Sequence, residues 1–231
     1  HDRKRRRPAN GRDIARGAAR SGRRRRPPCV ESDHCGSRPR LRFGDCTVSR
    51  YLDLLEQSSR RAGTVLCVGL DPDPAALPPR FATHAGIGEW VRLVVEAASE
   101  HAAAFKLNLA FFEALGADGM HVAARVRALV PSTIPLVVDA KRGDIGSTVA
   151  AHARALYDVL GADAVTASPY LGIGALAPLL EREDRFVYLL CRTSNHEAGE
   201  FQELEVAAVA DAPSEPLYLR DRKSTRLNSS H

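Results

Sequence analysis

The sequence predicts an α/β fold on a parallel sheet: a (β/α)8 TIM barrel, present as its first five or so β/α units. Three observations predict it. Five short apolar runs alternate with segments of helical periodicity through short connections, the pattern of parallel strands covered by helices. Polar residues stand at or just inside the C-terminal ends of these runs, at Asp71, Lys106, Asp139, Lys141, Ser168 and Ser194. A barrel gathers all its strand ends on one rim, whereas an open doubly wound sheet uses only those near its switch point. Finally, no GxGxxG follows the first run, which weakens the dinucleotide-binding alternative.

Taken in order, Val48 to Arg61 reads as a helix, with Leu52 and Leu55 at helical spacing and Ser49 available as a cap. Thr64–Asp71 is an apolar strand ending in a carboxylate, followed by a Pro-rich loop to Pro79. Ile87 to His101 is helical, with Trp90, Leu93, Val94 and Ala97 along one face. Ala103 to Leu109 is the second strand, Phe105 and Leu107 alternating with Lys106 and Asn108. Phe111 to Val130 is a helix interrupted near Gly116–Gly119. The third strand starts at Leu136 after Pro135. The helix Val149–Leu160 follows, with Ser147 or Thr148 as its cap. Ala164–Ser168, a helix near Ala175–Leu180, and Phe186–Cys191 complete the series, and Pro213–Leu219 reads as the entry to another helix.

The net charge of +5 conceals an uneven distribution. Residues 1–50 hold 16 of the 33 Lys+Arg and 5 of the 28 Asp+Glu, a net of +11, so the remainder carries −6. The globular part is mildly acidic and shows no sign of a nucleic-acid-binding surface. Residues 1–46, rich in Arg, Gly and Pro, cannot bury enough apolar surface to fold alone. They read as a basic arm, a transit segment or, most economically, translated upstream sequence, because the only methionine is Met120. Residues 47–220 form the partial barrel domain. Residues 221–231 are polar, resemble translated adapter sequence, and are expected to be non-native. No apolar run reaches 18 residues, so no membrane-spanning helix is expected. The five cysteines form no CxxC pair, and Cys29, His34 and Cys35 have no second ligand pair, so no metal site is expected. Two cysteines in apolar strands read as reduced, buried thiols, and a cytoplasmic location follows as the default.

The chemistry concentrates at the end of the third strand. Asp139 and Lys141, two apart, project to one side of a strand while Ala140 faces away. Gly143 lets the chain turn, and Asp144 follows. A carboxylate, an ammonium and a second carboxylate thus meet where a buried strand opens to a cavity. Charges at a surface strand end can also be incidental, and this triplet alone does not decide between the two.

Four motifs in order decide it. DAKRGDIGST (139–148), FKLNLAFFEALG (105–116), TASPYLG (166–172) and CRTSNHEAGEFQ (191–202) resemble the orotidine 5'-phosphate decarboxylases in their longer bacterial form, over roughly Val65 to Leu219. The resemblance implies a cofactor-free barrel homodimer that converts orotidine monophosphate to UMP and carbon dioxide. It implies a charge array of Lys106, Asp139, Lys141 and Asp144, with Asp144 and Thr148 reaching into the partner subunit's site. It further implies that Asp71 holds the ribose and that Ser194 lies in the segment reading the pyrimidine edge. Leu107 and His196 stand where the family often has Pro, and the family's phosphate-gripping loops and Arg, which belong to later strands, do not occur in this sequence.

The chemistry is consistent with the residues. Decarboxylation leaves a carbanion on a pyrimidine carbon, so the barrier must fall by electrostatics and a placed proton donor. A lysine flanked by carboxylates stays charged and can serve as both. Three rivals remain: a magnesium-dependent sugar-phosphate decarboxylase or aldolase of the same barrel superfamily, an RNA-binding role for residues 1–46, and a truncated fragment without activity.

Overall fold

The computed structural model describes residues 50–208 and 213–228, with the backbone alone for His84 and residues 223–228. The expectations for residues 1–46, for Ser49 as a cap and for residues 229–231 lie outside the described residues. Five strands, β1 (Cys67–Gly69), β2 (Ala104–Asn108), β3 (Leu136–Arg142), β4 (Ala164–Ala167) and β5 (Phe186–Leu189), form one sheet in sequential order, every pair parallel. Sequential order without a reversal is the order of barrel staves, so this is a partial (β/α) barrel.

The helices are α1 (Arg50–Ala62), α2 (His84–Ala98), α3 (Leu109–Glu113), α4 (Gly116–Leu129), α5 (Gly146–Ala153), α6 (Ala177–Leu180), α7 (Ala198–Gln202) and α8 (Leu217–Asn228). A π-turn, Arg154–Val159, extends α5, a 3₁₀ turn, Ile173–Leu176, precedes α6, and two short strands, β6 (Glu205–Val206) and β7 (Glu215–Pro216), pair antiparallel. The helix α8 crosses the boundary expected at residue 220. Among the described residues, no helix is long and apolar enough to cross a membrane.

Strand alternation divides the side chains between two clusters. Phe105, Leu107, Leu136, Val138 and Val165 face outward and meet Val91 and Val95 of α2, Ala123 and Val126 of α4, and Val149 and Leu156. Val137 and Ala164, of opposite parity, face inward and meet Tyr51 and Leu55 of α1. The Tyr51 ring stacks on Phe186 at 5.1 Å and its hydroxyl lies 2.8 Å from that of Tyr188. Burial, reinforced by the Tyr188 bond, pushes the Tyr51 hydroxyl well above the usual phenol range. Helix α1 therefore covers the inner face of the sheet near its N-terminal end.

Several expectations are corrected. Tyr51 and Leu55, not Leu52 and Leu55, form the inward face of α1, because Tyr51 offers a large ring to Phe186, while Leu52 is 40% exposed. The first strand is three residues rather than eight, since Thr64 and Leu66 bond to the loop at His101–Ala104, leaving Val65 exposed. The buried face of α2 is Ile87, Val91 and Val95, one residue out of phase with the expected stripe. Trp90 and Val94 pack beside it and Leu93 is exposed. The break in the third helical segment expected, Phe111–Val130, comes at Ala114–Leu115, just before Gly116, which has φ +65°. Neither Ser147 nor Thr148 caps α5. That helix starts at Gly146, and the preceding turn is closed by the Asp144 carboxylate, which accepts the Ile145 N–H. Cys67 is exposed and Cys191 is partly so; Cys67 shares the inward parity of Gly69, on the face the outer helices do not cover.

Candidate active site

The site is built at the C-terminal ends of β1 to β4. Strand β2 carries Lys106 between the buried Phe105 and Leu107, so its ammonium is forced to the inner side. There it lies 3.7 Å from Asp71 and 3.4 Å from Asp139. Asp71 is held in turn by the Asn108 backbone N–H, 3.1 Å from Oδ1. Lys141 Nζ donates to Asp139 Oδ1 at 2.7 Å, and the Thr166 hydroxyl donates to the same oxygen at 2.8 Å. Burial pushes the Asp139 carboxyl up, but the bonds from Lys141 and Thr166 and the charges of Lys141 and Lys106 outweigh it, holding the group below the usual carboxylate range. The array is graded in exposure: the Asp139 side chain is 13% exposed and Lys141 51%, so the ammonium at the rim is the accessible member.

Backbone geometry supports this grading. Lys141, at φ 47°, is the one non-glycine residue with positive φ among the described residues. Such strain persists only where the surroundings over-determine it, and it clusters at functional sites. Gly143 is required for another reason: a Cβ there would stand 2.6 Å from the Ser168 carbonyl oxygen, so only glycine lets the two strand ends approach.

The structure thus brings together Asp71, Lys106, Asp139 and Lys141. It does not bring Asp144, Thr148 or Ser194 to them. Asp144 closes its own turn on Ile145, Thr148 is exposed on the first turn of α5, and Ser194 is exposed between Thr193, which bonds Gln202 and Asn195, and Asn195 itself. Sequence reasoning missed Thr166. The available signal was a hydroxyl two residues before Ser168, of inward parity in an otherwise apolar strand. As for metal binding, Lys106 stands between the two carboxylates a divalent cation would bridge, and no group of three or more His, Cys, Asp or Glu converges among the described residues.

Parallel β/α units with a carboxylate–ammonium array at their strand ends define a β/α-barrel domain whose polar site lies on the C-terminal rim. The chain belongs to the Orotidine 5'-phosphate decarboxylase / HUMPS family, whose sequence pattern matches residues 64–218. It is 45% identical to an orotidine 5'-phosphate decarboxylase of Herpetosiphon aurantiacus over 184 residues, covering 76% of this chain and 66% of that protein. It is 42% identical to one of Dehalococcoides mccartyi over 156 residues, 68% of this chain and 56% of that one. The solved structure of Leishmania donovani OMP decarboxylase superposes with a TM-score of 0.62 at 40% identity, covering 73% of this chain and 61% of the other. The chain therefore spans between about half and two thirds of the length of these relatives.

Proposed function

We propose that the chain carries the chemistry of orotidine 5'-phosphate decarboxylation to UMP and CO2, the last step of de novo UMP synthesis. The observation that carries this reading is the Lys141 ammonium, 2.7 Å from Asp139 and half exposed at the rim, in a member of this family. When the bond from pyrimidine carbon 6 to its carboxylate breaks, CO2 leaves and the electron pair remains on carbon 6. Lys141 stabilises that pair as a fixed cation and then delivers a proton to it; the neutral amine regains a proton from water. Asp139 orients Lys141 and lies against the departing carboxylate, Lys106 ties Asp139 to Asp71, and Asp71 holds the ribose. In this reading no cofactor takes part, the enzyme is cytoplasmic, and Ser194 reads the pyrimidine edge. Asp144, bonded to its own Ile145 N–H, and the exposed Thr148 complete the array of a second copy in a homodimer.

The test is UMP formation from orotidine 5'-phosphate by the 231-residue chain and by a chimera completed with the unmatched part of a curated relative. We expect the chimera to turn over, and its Lys141→Ala variant to lose more than the roughly 10²- to 10³-fold of one oxyanion donor. A folded chimera that makes no UMP refutes the activity, and a Lys141→Ala variant within about tenfold of its parent refutes the donor role. Mixing Lys141→Ala with Asp144→Ala tests the shared site. A two-fold heterodimer has one site with both defects and one intact, so up to about half the parent activity should return. Verified heterodimers as inactive as their parents would confine Asp144 to its own subunit.

A further inference from the structure

The ladder between β3 and β4 slips beside the array. Val138 pairs with Val165 and Arg142 with Ala167, so Asp139, Ala140 and Lys141 all stand opposite the single residue Thr166. A bulge of this kind leaves backbone N–H groups without ladder partners. Thr166 supplies those partners with its side chain. Its hydroxyl accepts the N–H of Ala140 at 3.0 Å and of Lys141 at 2.9 Å, and donates to Asp139 Oδ1 at 2.8 Å. A hydroxyl has one proton and two acceptor lone pairs, and here all three are engaged by the bulge. The bulge in turn contains Lys141, in its left-handed conformation.

Packing does not account for a threonine here. Its neighbours Val165 and Ala167 are fully buried against the outer helices, whereas Thr166 lines an inner trough of about 500 Å³ with Tyr188, Cys67 and Lys106. An apolar residue of the same shape would fill that position equally well, but it would take from two N–H groups their acceptor and from Asp139 Oδ1 one of its two donors.

We propose that Thr166 is the positioning residue of this site: its hydroxyl clamps the β3 bulge, holds Lys141 in its left-handed backbone, and so aims the ammonium and the Asp139 carboxylate. The role is exerted through Asp139 and Lys141, and the inference rests on the reading of Lys141 as proton donor. Thr166→Val keeps the shape and removes the hydroxyl; Thr166→Ser keeps the hydroxyl. Two readouts separate positioning from mere structure: the ¹³C titration of the Asp139 carboxyl in the 231-residue chain, and turnover of orotidine 5'-phosphate in the completed chimera. In Thr166→Val, Asp139 should titrate at higher pH than in the parent, because its charged form has lost a donor. Its kcat should fall on the order of 100-fold with KM little changed, the effect of a small misplacement of a reacting group. Thr166→Ser should restore most of both. A Val variant that titrates and turns over like the parent overturns the proposal, and so does a Ser variant as impaired as the Val variant. Should the Val variant be unfolded by circular dichroism, Thr166→Ala removes the hydroxyl without steric demand and is judged by the same two outcomes. If the folded parent makes no UMP, the functional reading fails, while the Asp139 titration still decides whether Thr166 holds the pair.

Discussion

Asp139 and Asp163 stand at opposite ends of the same sheet, and each gathers two cations. Asp139 takes Lys141 and Lys106 together with the Thr166 hydroxyl. Asp163, just before β4, takes Arg127 at 2.7 Å, Arg185 at 3.5 Å and the Leu136 N–H at 2.9 Å. The difference lies in the cations. Arg127 also donates to the carbonyls of Val130, Pro131 and Ile134, and Arg185 to that of Ala162. Their planar, many-donor groups tie the loops entering β3 and β4 into one knot. The upper end uses lysines, compact charges on flexible stems that can hand over a proton, which a guanidinium does not do. The lower end is built to stay put, and the upper end suits the proton transfer proposed for it.

The sharpest way to break this contrast is to remove one partner at each end. Lys141→Ala should abolish turnover in the completed chimera yet barely move the denaturation midpoint, because Lys141 is half exposed and Asp139 keeps Lys106 and Thr166, so the pair contributes about 0–1 kcal/mol. Asp163→Ala should cost about 1.5–3 kcal/mol of unfolding free energy, because it removes the carboxylate between two guanidiniums that are only 24% exposed and leaves them their carbonyls and, for Arg185, Asp184. Both are read by chemical denaturation of the same chain. Equal stability losses for the two variants would show that the ends do not differ in kind.

The two ends also differed in how well the sequence revealed them. Lys106 between Phe105 and Leu107, and Asp139 after Leu136–Val138, are charges set in apolar runs, and parity alone turned them to one side. The lower knot carried no such mark: Arg127, Asp163 and Arg185 lie 36 and 22 residues apart and form no motif. The β3 bulge escaped for a related reason, since a threonine inside a strand looks like β-branched filler until its hydroxyl is seen to replace the ladder. Helix faces were legible to within one residue. In α2 the expected stripe and the buried one are adjacent, and the choice depends on where α2 meets the sheet, which periodicity does not encode. Asp144, Thr148 and Ser194 were legible only through the family resemblance.

A smaller effect separates the ends by pH. The Asp139 carboxyl is held below the usual aspartate range in the folded chain. Its contribution is therefore fully present above the unfolded value of about 3.9 and is lost as pH falls through the lower folded value. Asp139→Asn removes that titration. Unfolding free energy followed from pH 6 downward should fall more steeply in the parent than in the Asn variant below about pH 4, converging by about 1–2 kcal/mol. Identical pH dependence in the two would mean that Asp139 gains nothing from Lys141, Lys106 and Thr166 on folding.

The smallest single change, loss of the Tyr51 hydroxyl, tests how helix α1 is held against the lower end. Tyr51 is 2% exposed, and its ring stacks on Phe186, but its hydroxyl meets that of Tyr188, a residue 40% exposed. If the ring is the anchor and the hydroxyl a minor addition, Tyr51→Phe should cost about 0.5–1.5 kcal/mol, since Tyr188 can turn its hydroxyl to water. Tyr51→Ala should cost about 3–5 kcal/mol, because it removes the ring that joins α1 to Val137, Ala164 and Phe186. Urea denaturation with a common slope measures both. A Phe variant as damaged as the Ala variant would make the Tyr51–Tyr188 hydroxyl pair the true anchor. Helix α1 would then depend on a polar contact at the edge of the trough rather than on buried apolar surface.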